Sequence, residues 1–428
     1  MELTGAWAHA IIRLMFPPPS VRGGLGRGLA ISFATSVLYL YLLPVMPLAG
    51  AQVVSPSQTA VSSQPPRPRR RLQLTKFYDV PKPLPAGRPG ELIRSEPAPE
   101  YYLSADFSAF RILYHSRSAR GQDVAASGVV LVPAGTPPAG GWPVIAWAHG
   151  FSGGDRHCAP SLLRSLYYGP FLSMYLDLGY AVVAADYSGL GTDFRNAVMD
   201  VQSDATDVID SIPAAHASVS QLSPKWVAMG PSFGANVAVG VAEMESGIHD
   251  SNFLGSIAIS GIADWKDLYT RPATEKSFGM LAFVAYTVKT LYPDFNLRDM
   301  LTEKALAGYP QIDDSCSSVG NRAEFSASQV LKENWQNNEF VGKFLGRNIL
   351  GQQPAYGPLL MISSGDDAEG LPALTGQTFG RMCKQGDRVQ IDKISEPQSG
   401  LIIGDSVRDQ MAWIDARFAG RPAPSNCP

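Results

Sequence analysis

Histidine and cysteine are scarce in this chain of 428 residues, and their positions exclude several kinds of site. All 6 histidines precede residue 250. The 4 cysteines are widely spaced and form no C-x-x-C pair, so no metal site is predicted. The 35 Lys and Arg residues are balanced by 38 Asp and Glu residues, and no basic patch is interleaved with aromatic residues. The composition therefore gives no indication of nucleic-acid binding.

The first 51 residues, 1–51, are predicted to be a signal peptide. Arg22 and Arg27 precede an apolar run over residues 28–43, and the small residues Ala49-Gly-Ala51 offer an A-x-A cleavage site. The alternative is an uncleaved membrane anchor, because the run approaches the length that spans a bilayer. With cleavage, the mature chain is secreted, either extracellular or periplasmic. Two disulfides are then expected among the cysteines, and the sequence leaves their pairing open.

The mature chain is predicted to be one α/β domain after a short lead-in. Residues 52–76 are rich in Ser, Gln, Pro and Arg, which is typical of disorder. From residue 77 to residue 428, apolar strands alternate with helical stretches, which predicts a mostly parallel sheet with flanking crossover helices. A helix is predicted over residues 160–178. Strands are predicted at 127–133, 142–149, 180–185, 225–229, 254–260 and 357–363.

One interval, at about residues 265–356, breaks this alternation. It carries helical and loop sequence, including an aromatic-rich run over residues 278–286, and it lies between two predicted sheet strands. We interpret it as an inserted helical cap over the end of the sheet. The alternative is a set of helices on the flank of the sheet with no role at the site.

The most informative motif lies between Lys225 and Met244. An apolar strand ends at Met229, Gly230-Pro-Ser-Phe-Gly234 forms a tight corner, and small residues then suit a buried helix. The corner matches G-x-S-x-G, in which a sharp strand-to-helix turn projects a serine hydroxyl above the sheet. Ser232 is therefore the candidate nucleophile, and its backbone is expected to be strained.

Several stretches, taken in order, resemble the secretory lipase family of α/β-hydrolases. They are Phe77–Glu96, Ala148-His-Gly150, Cys158-Ala-Pro-Ser161, Asp186–Thr192, the G-x-S-x-G corner and Trp413–Ser425. The resemblance covers nearly all of the mature chain. It implies an α/β-hydrolase fold with a helical cap, hydrolysis of acylglycerols or simpler carboxylic esters, and no cofactor. The implied partners are an acyl ester or lipid substrate and a transient lipid interface, with no partner protein indicated.

The resemblance also implies which residues would carry out catalysis in a serine hydrolase. A histidine takes the proton of the serine, a carboxylate orients that histidine, and backbone N–H groups stabilise the oxyanion. The implied oxyanion donors are the N–H of Phe233 and the loop at Gly150-Phe151. Asp367 is the candidate acid, although an ungapped alignment puts Ala368 at this place and Asp366 is an alternative.

The histidine itself is absent from its expected position. In Ser395-Glu-Pro-Gln-Ser-Gly-Leu401, Gln398 most nearly occupies the place of the base, and an amide cannot accept the proton. His149 and His157, near the oxyanion loop, are the candidates for a relocated base. The predicted function is a lipase or esterase of weak turnover with a degenerate triad. The alternative is a catalytically inactive homologue that binds an acyl lipid or a protein partner.

Overall fold

The computed structural model describes residues 71–261, 278–309, 316, 327–365, 371–394 and 402–428. The predicted signal peptide and residues 52–70 of the predicted lead-in lie outside this part of the chain. Six residues of the lead-in lie within it. The N–H of Leu72 donates to the carbonyl of Leu162 at 2.7 Å, and Arg71 Nη1 donates to the carbonyl of His157 at 3.0 Å. In these ranges, no helix is long and apolar enough to cross a membrane.

A nine-stranded sheet forms the centre of the fold, with the strand order β1-β2-β3-β5-β4-β6-β7-β8-β9. The strands are β1 (Leu92–Pro97), β2 (Phe107–Arg117), β3 (Asp123–Pro133), β4 (Trp142–Trp147), β5 (Ala181–Ala185), β6 (Leu222–Pro231), β7 (Phe253–Ile259), β8 (Leu359–Ser364) and β9 (Val389–Ile394). β1, β2, β3 and β5 pair antiparallel in that order. All pairs from β5 to β9 are parallel, which confirms the predicted mostly parallel sheet.

Helices flank this sheet on both faces, and a further group of helices lies in the interval between β7 and β8. They are α1 (Gly169–Asp177), α2 (Val201–Ser218), α3 (Phe233–Ile248), α4 (Phe278–Leu291), α5 (Glu303–Gly308), α6 (Ala327–Val330), α7 (Glu339–Arg347), α8 (Leu371–Gln385), α9 (Ile402–Asp405) and α10 (Val407–Phe418). Because successive side chains of a strand point to opposite faces, β4 contributes to two cores. Val144 and Ala146 join the core formed with α2 and α3, and Ile145 and Trp147 join the core formed with α1 and α10.

The predicted helix over residues 160–178 is wrong in its first half. The α-helix begins at Gly169, and residues 160–168 form a short 3-10 turn followed by irregular chain. Leu166 and Tyr167 have φ values of 49° and 68°, in the left-handed region that a right-handed helix cannot contain. Pro170 then lies in the first turn of α1, where its missing N–H has no helical acceptor to lose.

The interval predicted as a cap is helical in its described part and is joined covalently to the body of the domain. It contributes α4 to α7 between β7 and β8. A disulfide joins Cys158, after β4, to Cys316 within the interval. A second disulfide joins Cys383, on α8, to Cys427 near the C-terminus. The two bridges confirm the expectation of two disulfides and supply the pairing that the sequence left open.

Candidate active site

Ser232 lies at the corner between β6 and α3, as the motif predicts. Its backbone angles are φ 55° and ψ −127°, a strained conformation for a residue with a side chain. The N–H of Ser232 donates to the carbonyl of Ile259 at 3.0 Å, which joins the corner to the end of β7. Pro231 is the last residue of β6, where a missing N–H disturbs the ladder least. The side chain of Ser232 is exposed.

The glycines of the motif are required by close backbone approach. A Cβ at Gly230 would lie 2.2 Å from the carbonyl oxygen of Ala148, and a Cβ at Gly234 would lie 2.1 Å from the same atom. Gly261, after β7, lies against the serine itself, because its Cβ would be 3.0 Å from the Cα of Ser232. The chain after β4 therefore runs directly across the corner that carries the serine.

His149 fixes that crossing segment from inside the protein. It is buried, its ring stacks on Tyr187 with centroids 4.0 Å apart, and Nδ1 lies 2.6 Å from the carbonyl oxygen of Gly150. A carbonyl accepts only from a protonated nitrogen, so Nδ1 carries the proton and Nε2 carries the lone pair. Burial lowers the pKa of His149 to about 4, so the ring is neutral at pH 7. The Tyr187 hydroxyl donates to the His149 carbonyl at 2.7 Å.

The three predicted oxyanion residues lie around this corner. A Cβ at Gly150 would lie 3.4 Å from the Cβ of Ser232, so a side chain there would contact the serine. Phe233 is the first residue of α3, where backbone N–H groups have no acceptor within the helix. Phe151 packs edge-on against Phe283 of α4, with ring centroids 4.8 Å apart. One helix of the inserted interval thus rests on the loop that borders the serine.

No histidine in the described residues has a ring nitrogen hydrogen-bonded to Ser232. His149 bonds its own loop, and the exposed His157 bonds Asp155 with Nδ1 to Oδ1 at 2.7 Å. His115 pairs with the carboxylate of Asp123. The remaining two point away from the corner: His216 bonds the Ser223 carbonyl, and His249 caps the far end of α3 against Tyr356. His157 is therefore bonded elsewhere, and the unpartnered Nε2 of His149 lines the small cavity with Asp204 and forms no hydrogen bond to Ser232.

The predicted acid and the residue at the position of the base fall in two loops outside the described residues. Asp366, Asp367 and Ala368 follow β8, and Gln398 follows β9. β6, β7, β8 and β9 are parallel, so Ser364 and Ile394, the last residues of β8 and β9, lie at the edge of the sheet that carries Ser232.

Two buried carboxyl groups near this edge were missed by the sequence analysis. Asp186 directly follows β5 and accepts hydrogen bonds from Ser127 Oγ at 2.7 Å and from the backbone N–H of Ser161 at 3.0 Å. The Ser161 hydroxyl donates to the same carboxylate. Burial raises the pKa of Asp186 to about 6, and these hydrogen bonds oppose the rise. In the sequence Asp186 is visible only as a residue of a strand-end motif.

The second carboxyl group, Asp204, lies in the first turn of α2. It is buried, and neither of its oxygens has a hydrogen-bond partner in the described residues. The same is true of His149 Nε2 and Ser152 Oγ. All three side chains line one cavity of about 10 Å³ that Phe233 also borders, which is at the lower limit for holding one water molecule. Burial raises the pKa of Asp204 well above its usual range, and neighbouring Asp207 and Asp200 raise it further.

Nothing in the described residues resembles a metal centre. No group of three or more His, Cys, Asp or Glu side chains there could hold an ion. The polar groups around Ser232 are backbone amides, hydroxyls and neutral rings. Such a set can activate and stabilise an acyl group, because it offers a nucleophile and hydrogen-bond donors at one point.

The nine-stranded sheet, the strand-to-helix corner and the flanking helices define an α/β-hydrolase fold, and comparison with solved structures agrees. The structure of Candida antarctica lipase A is similar over 82% of this chain and 87% of that chain, with a TM-score of 0.68 and 17% identity. That of LipA, a rice cell wall degrading esterase from Xanthomonas oryzae, is similar over 78% and 97%, with a TM-score of 0.62 and 17% identity. No family model and no curated protein matches the chain. At these identities the similarity establishes the fold.

Proposed function

We propose that this protein is a secreted carboxylic ester hydrolase that acts on acyl esters or lipids through Ser232. The observation that carries the proposal is the backbone of Ser232, strained at φ 55° and exposed at the strand-to-helix corner of this fold. Strain of this kind costs about 1–3 kcal/mol and persists where surrounding structure imposes it, commonly at active sites. The similar solved structures are named as a lipase and an esterase, which supports the same class of reaction.

The reaction would proceed by acyl transfer. Ser232 Oγ attacks the ester carbonyl carbon, the carbonyl oxygen becomes an oxyanion, and collapse of the adduct expels the alcohol and leaves an acyl-enzyme. Water then releases the acid and restores the serine. The N–H of Phe233 and the Gly150-Phe151 loop are the proposed donors to the oxyanion. Asp367 is the proposed acid of the site.

Weak turnover is part of the proposal, because the proton of Ser232 has no histidine to receive it. In serine hydrolases, loss of the histidine lowers kcat by about 10⁶-fold, and the oxyanion hole and substrate binding still give about 10³–10⁴-fold over water. Proton transfer from Ser232 to the leaving alcohol would then depend on water. Esters with good leaving groups should therefore be hydrolysed most readily.

Export and a cap complete the proposed organisation. We propose that residues 1–51 are removed as a signal peptide, which the two disulfides support, since such bonds persist in oxidising compartments. Mass spectrometry of the exported protein should give a chain that begins at Gln52, whereas an anchored protein would keep residues 28–43. We also propose that residues 265–356 cover the site, and the contact between Phe283 and Phe151 supports this.

The test is hydrolysis of p-nitrophenyl esters of increasing acyl length by the purified mature protein, together with labelling by a serine-directed phosphonate. Ser232→Ala should abolish both turnover and labelling. The matched control is Ser246→Ala at the other end of α3, where Oγ donates only to the Glu243 carbonyl, and it should leave both unchanged. An absence of turnover and of labelling in the unmodified protein would instead favour an inactive homologue that binds an acyl lipid or a protein.

The proposed place of the missing base can be tested separately. If Gln398 fills it, Gln398→His should raise kcat for these esters by at least tenfold, because an imidazole accepts the proton that an amide cannot. Gln390→His, on the partly buried strand β9, is the control for an added histidine elsewhere. Equal activity in the two variants would contradict the assignment of Gln398.

A further inference from the structure

A tyrosine that no motif indicates contacts the same glycine as the candidate nucleophile. A Cβ at Gly150 would lie 2.5 Å from the hydroxyl oxygen of Tyr168 and 3.4 Å from the Cβ of Ser232. The phenol oxygen therefore lies no farther from the Cβ of Ser232 than these two distances added together. A larger residue at position 150 would force the hydroxyl of Tyr168 to move.

The chain before Tyr168 adopts a costly conformation. Leu166 and Tyr167 both have positive φ, at 49° and 68°, and neither is a glycine. Two adjacent residues of this kind cost about 1–3 kcal/mol each and persist only where the surrounding structure imposes them. Tyr168 follows directly: its N–H donates to the Leu166 carbonyl at 2.8 Å, and its own carbonyl accepts from Phe171 at the start of α1. The backbone conformation of Leu166 and Tyr167 thus sets the position from which the side chain of Tyr168 projects.

The ring of Tyr168 is held by the end of a central strand. It packs edge-on against Trp147, with centroids 5.3 Å apart, and Trp147 is the last residue of β4 and 1% exposed. The same strand continues into the His149-Gly150 segment. The end of β4 therefore positions both the ring of Tyr168 and Gly150, which lies next to the hydroxyl of Tyr168.

The Tyr168 hydroxyl remains protonated at neutral pH and has a proton to donate. Burial raises the pKa of Tyr168 well above its usual range, nearby Tyr167 raises it further, and a backbone hydrogen bond from Gly150 opposes the rise. The hydroxyl of Tyr168 donates to no acceptor in the described residues. Its proton therefore remains available for another group.

We propose that the Tyr168 hydroxyl donates a hydrogen bond to the ester carbonyl oxygen as it becomes the oxyanion on attack by Ser232. This rests on the proposed function and adds a side-chain donor to the backbone donors. In a site without a histidine, stabilisation of the oxyanion is the main source of rate enhancement, so this donor matters more than usual.

The test compares Tyr168→Phe with Tyr167→Phe on a soluble p-nitrophenyl ester. Tyr168→Phe keeps the ring on Trp147 and removes only the hydroxyl, so kcat should fall about 10²–10³-fold, as for loss of one oxyanion donor, with KM changed by less than about threefold. Affinity for an alkyl boronic acid, which forms a tetrahedral adduct at the serine, should fall with kcat. Tyr167→Phe should leave kcat and boronate affinity unchanged.

The outcomes separate this proposal from the one on which it rests. If the unmodified protein neither hydrolyses the ester nor is labelled at Ser232 by the phosphonate, the proposed function fails and the role of Tyr168 fails with it. If the protein is active and Tyr168→Phe retains its kcat and boronate affinity, only the role of Tyr168 is wrong. A loss of kcat that follows a lowered unfolding temperature, with KM raised equally, would show a structural role instead.

Discussion

Two aspartates, Asp186 and Asp204, are buried near the edge of the sheet that carries Ser232, but they differ in their hydrogen bonding. Asp186 is surrounded by hydrogen-bond donors from Ser127 and Ser161. Asp204 faces a small cavity with His149 and with no donor in the described residues. Burial of a carboxyl group costs free energy, and only hydrogen bonds or charges can recover it. The comparison indicates that Asp186 holds the fold together, whereas Asp204 lowers the stability of the region beneath the oxyanion loop.

The largest expected effect is at Asp186. Asp186→Ala leaves the backbone N–H of Ser161 without an acceptor and leaves the hydroxyls of Ser127 and Ser161 with only the Leu190 carbonyl and the Tyr78 hydroxyl as partners, so it should lower the free energy of unfolding by about 3 kcal/mol or more. Urea denaturation measures this change. Asp204→Ala is the matched control and should alter the free energy by less than about 1 kcal/mol, since no partner is lost and only a small cavity is enlarged. Equal losses at the two positions would contradict the comparison.

Replacement of Asp204 by an apolar residue should increase the free energy of unfolding, whereas replacement of Asp186 should decrease it. Asp204→Leu removes a carboxyl group without partners and extends into the adjacent cavity, so it should raise the free energy of unfolding by about 1–3 kcal/mol. The same urea titration measures the gain. A loss of stability would mean that a water molecule in the cavity bonds Asp204, and the distinction between the two carboxyl groups would then disappear.

The pH dependence of stability sharpens the comparison. A carboxyl whose pKa is raised in the folded state binds its proton more tightly there, so stability falls as pH rises from its unfolded pKa, about 4, to its folded pKa. For Asp186 this window ends at about pH 6, and for Asp207 at about pH 7. Because the pKa of Asp204 is also raised, the decline should be shallower in Asp204→Leu.

The difference is at most about 1.4 kcal/mol per pH unit, the value for one proton. Stability curves at several pH values between about 4 and 7 measure it for the two proteins. His149 has a lowered pKa, so its contribution is lost as pH falls, but it titrates alike in both and cancels. Parallel curves would indicate that Asp204 is ionised in the folded state.

A pair of serines tests the same comparison one hydrogen bond at a time. Ser127 Oγ donates to the carboxylate of Asp186, and Ser152 Oγ has no partner in the part of the chain that the structure describes. Ser127→Ala should cost about 1.5–3 kcal/mol, the range for hydrogen bonds to charged groups, and Ser152→Ala should change stability by less than about 0.5 kcal/mol. Thermal unfolding of the two variants side by side measures the difference. A larger cost at Ser152 would reveal a bound water.

Local sequence patterns predicted the parallel strands β4 to β8, but not β9, and the corner at Ser232. Continuous apolar runs such as Ala181–Ala185 identify buried strands, and two glycines around a serine identify the turn. β2 escaped prediction because Arg111 and His115 interrupt its apolar pattern. Both are buried, and both are paired with carboxylates, Arg111 with Glu96 at 2.8 Å and His115 with Asp123 at 2.9 Å. A buried charge with a distant partner looks like an exposed one in the sequence.

The residues of the site were predictable only where a local sequence motif contains them. Ser232 and Phe233 belong to one turn, and Gly150 follows a strand end, so motifs reach all three. Tyr168 was out of reach because its place depends on the left-handed backbone of the two residues before it, in a stretch that reads as helix. Asp204 was equally hidden, since a carboxylate in the first turn of a helix is ordinarily solvated.

The disulfide between Cys158 and Cys316 limits how the inserted interval can move. The interval leaves the sheet at the carboxyl end of β7 and returns at the amino end of β8, on the opposite edge. The cystine adds a third attachment, beyond β4. Cys316 therefore cannot separate from Cys158 unless that bond is reduced, whatever the rest of the interval does.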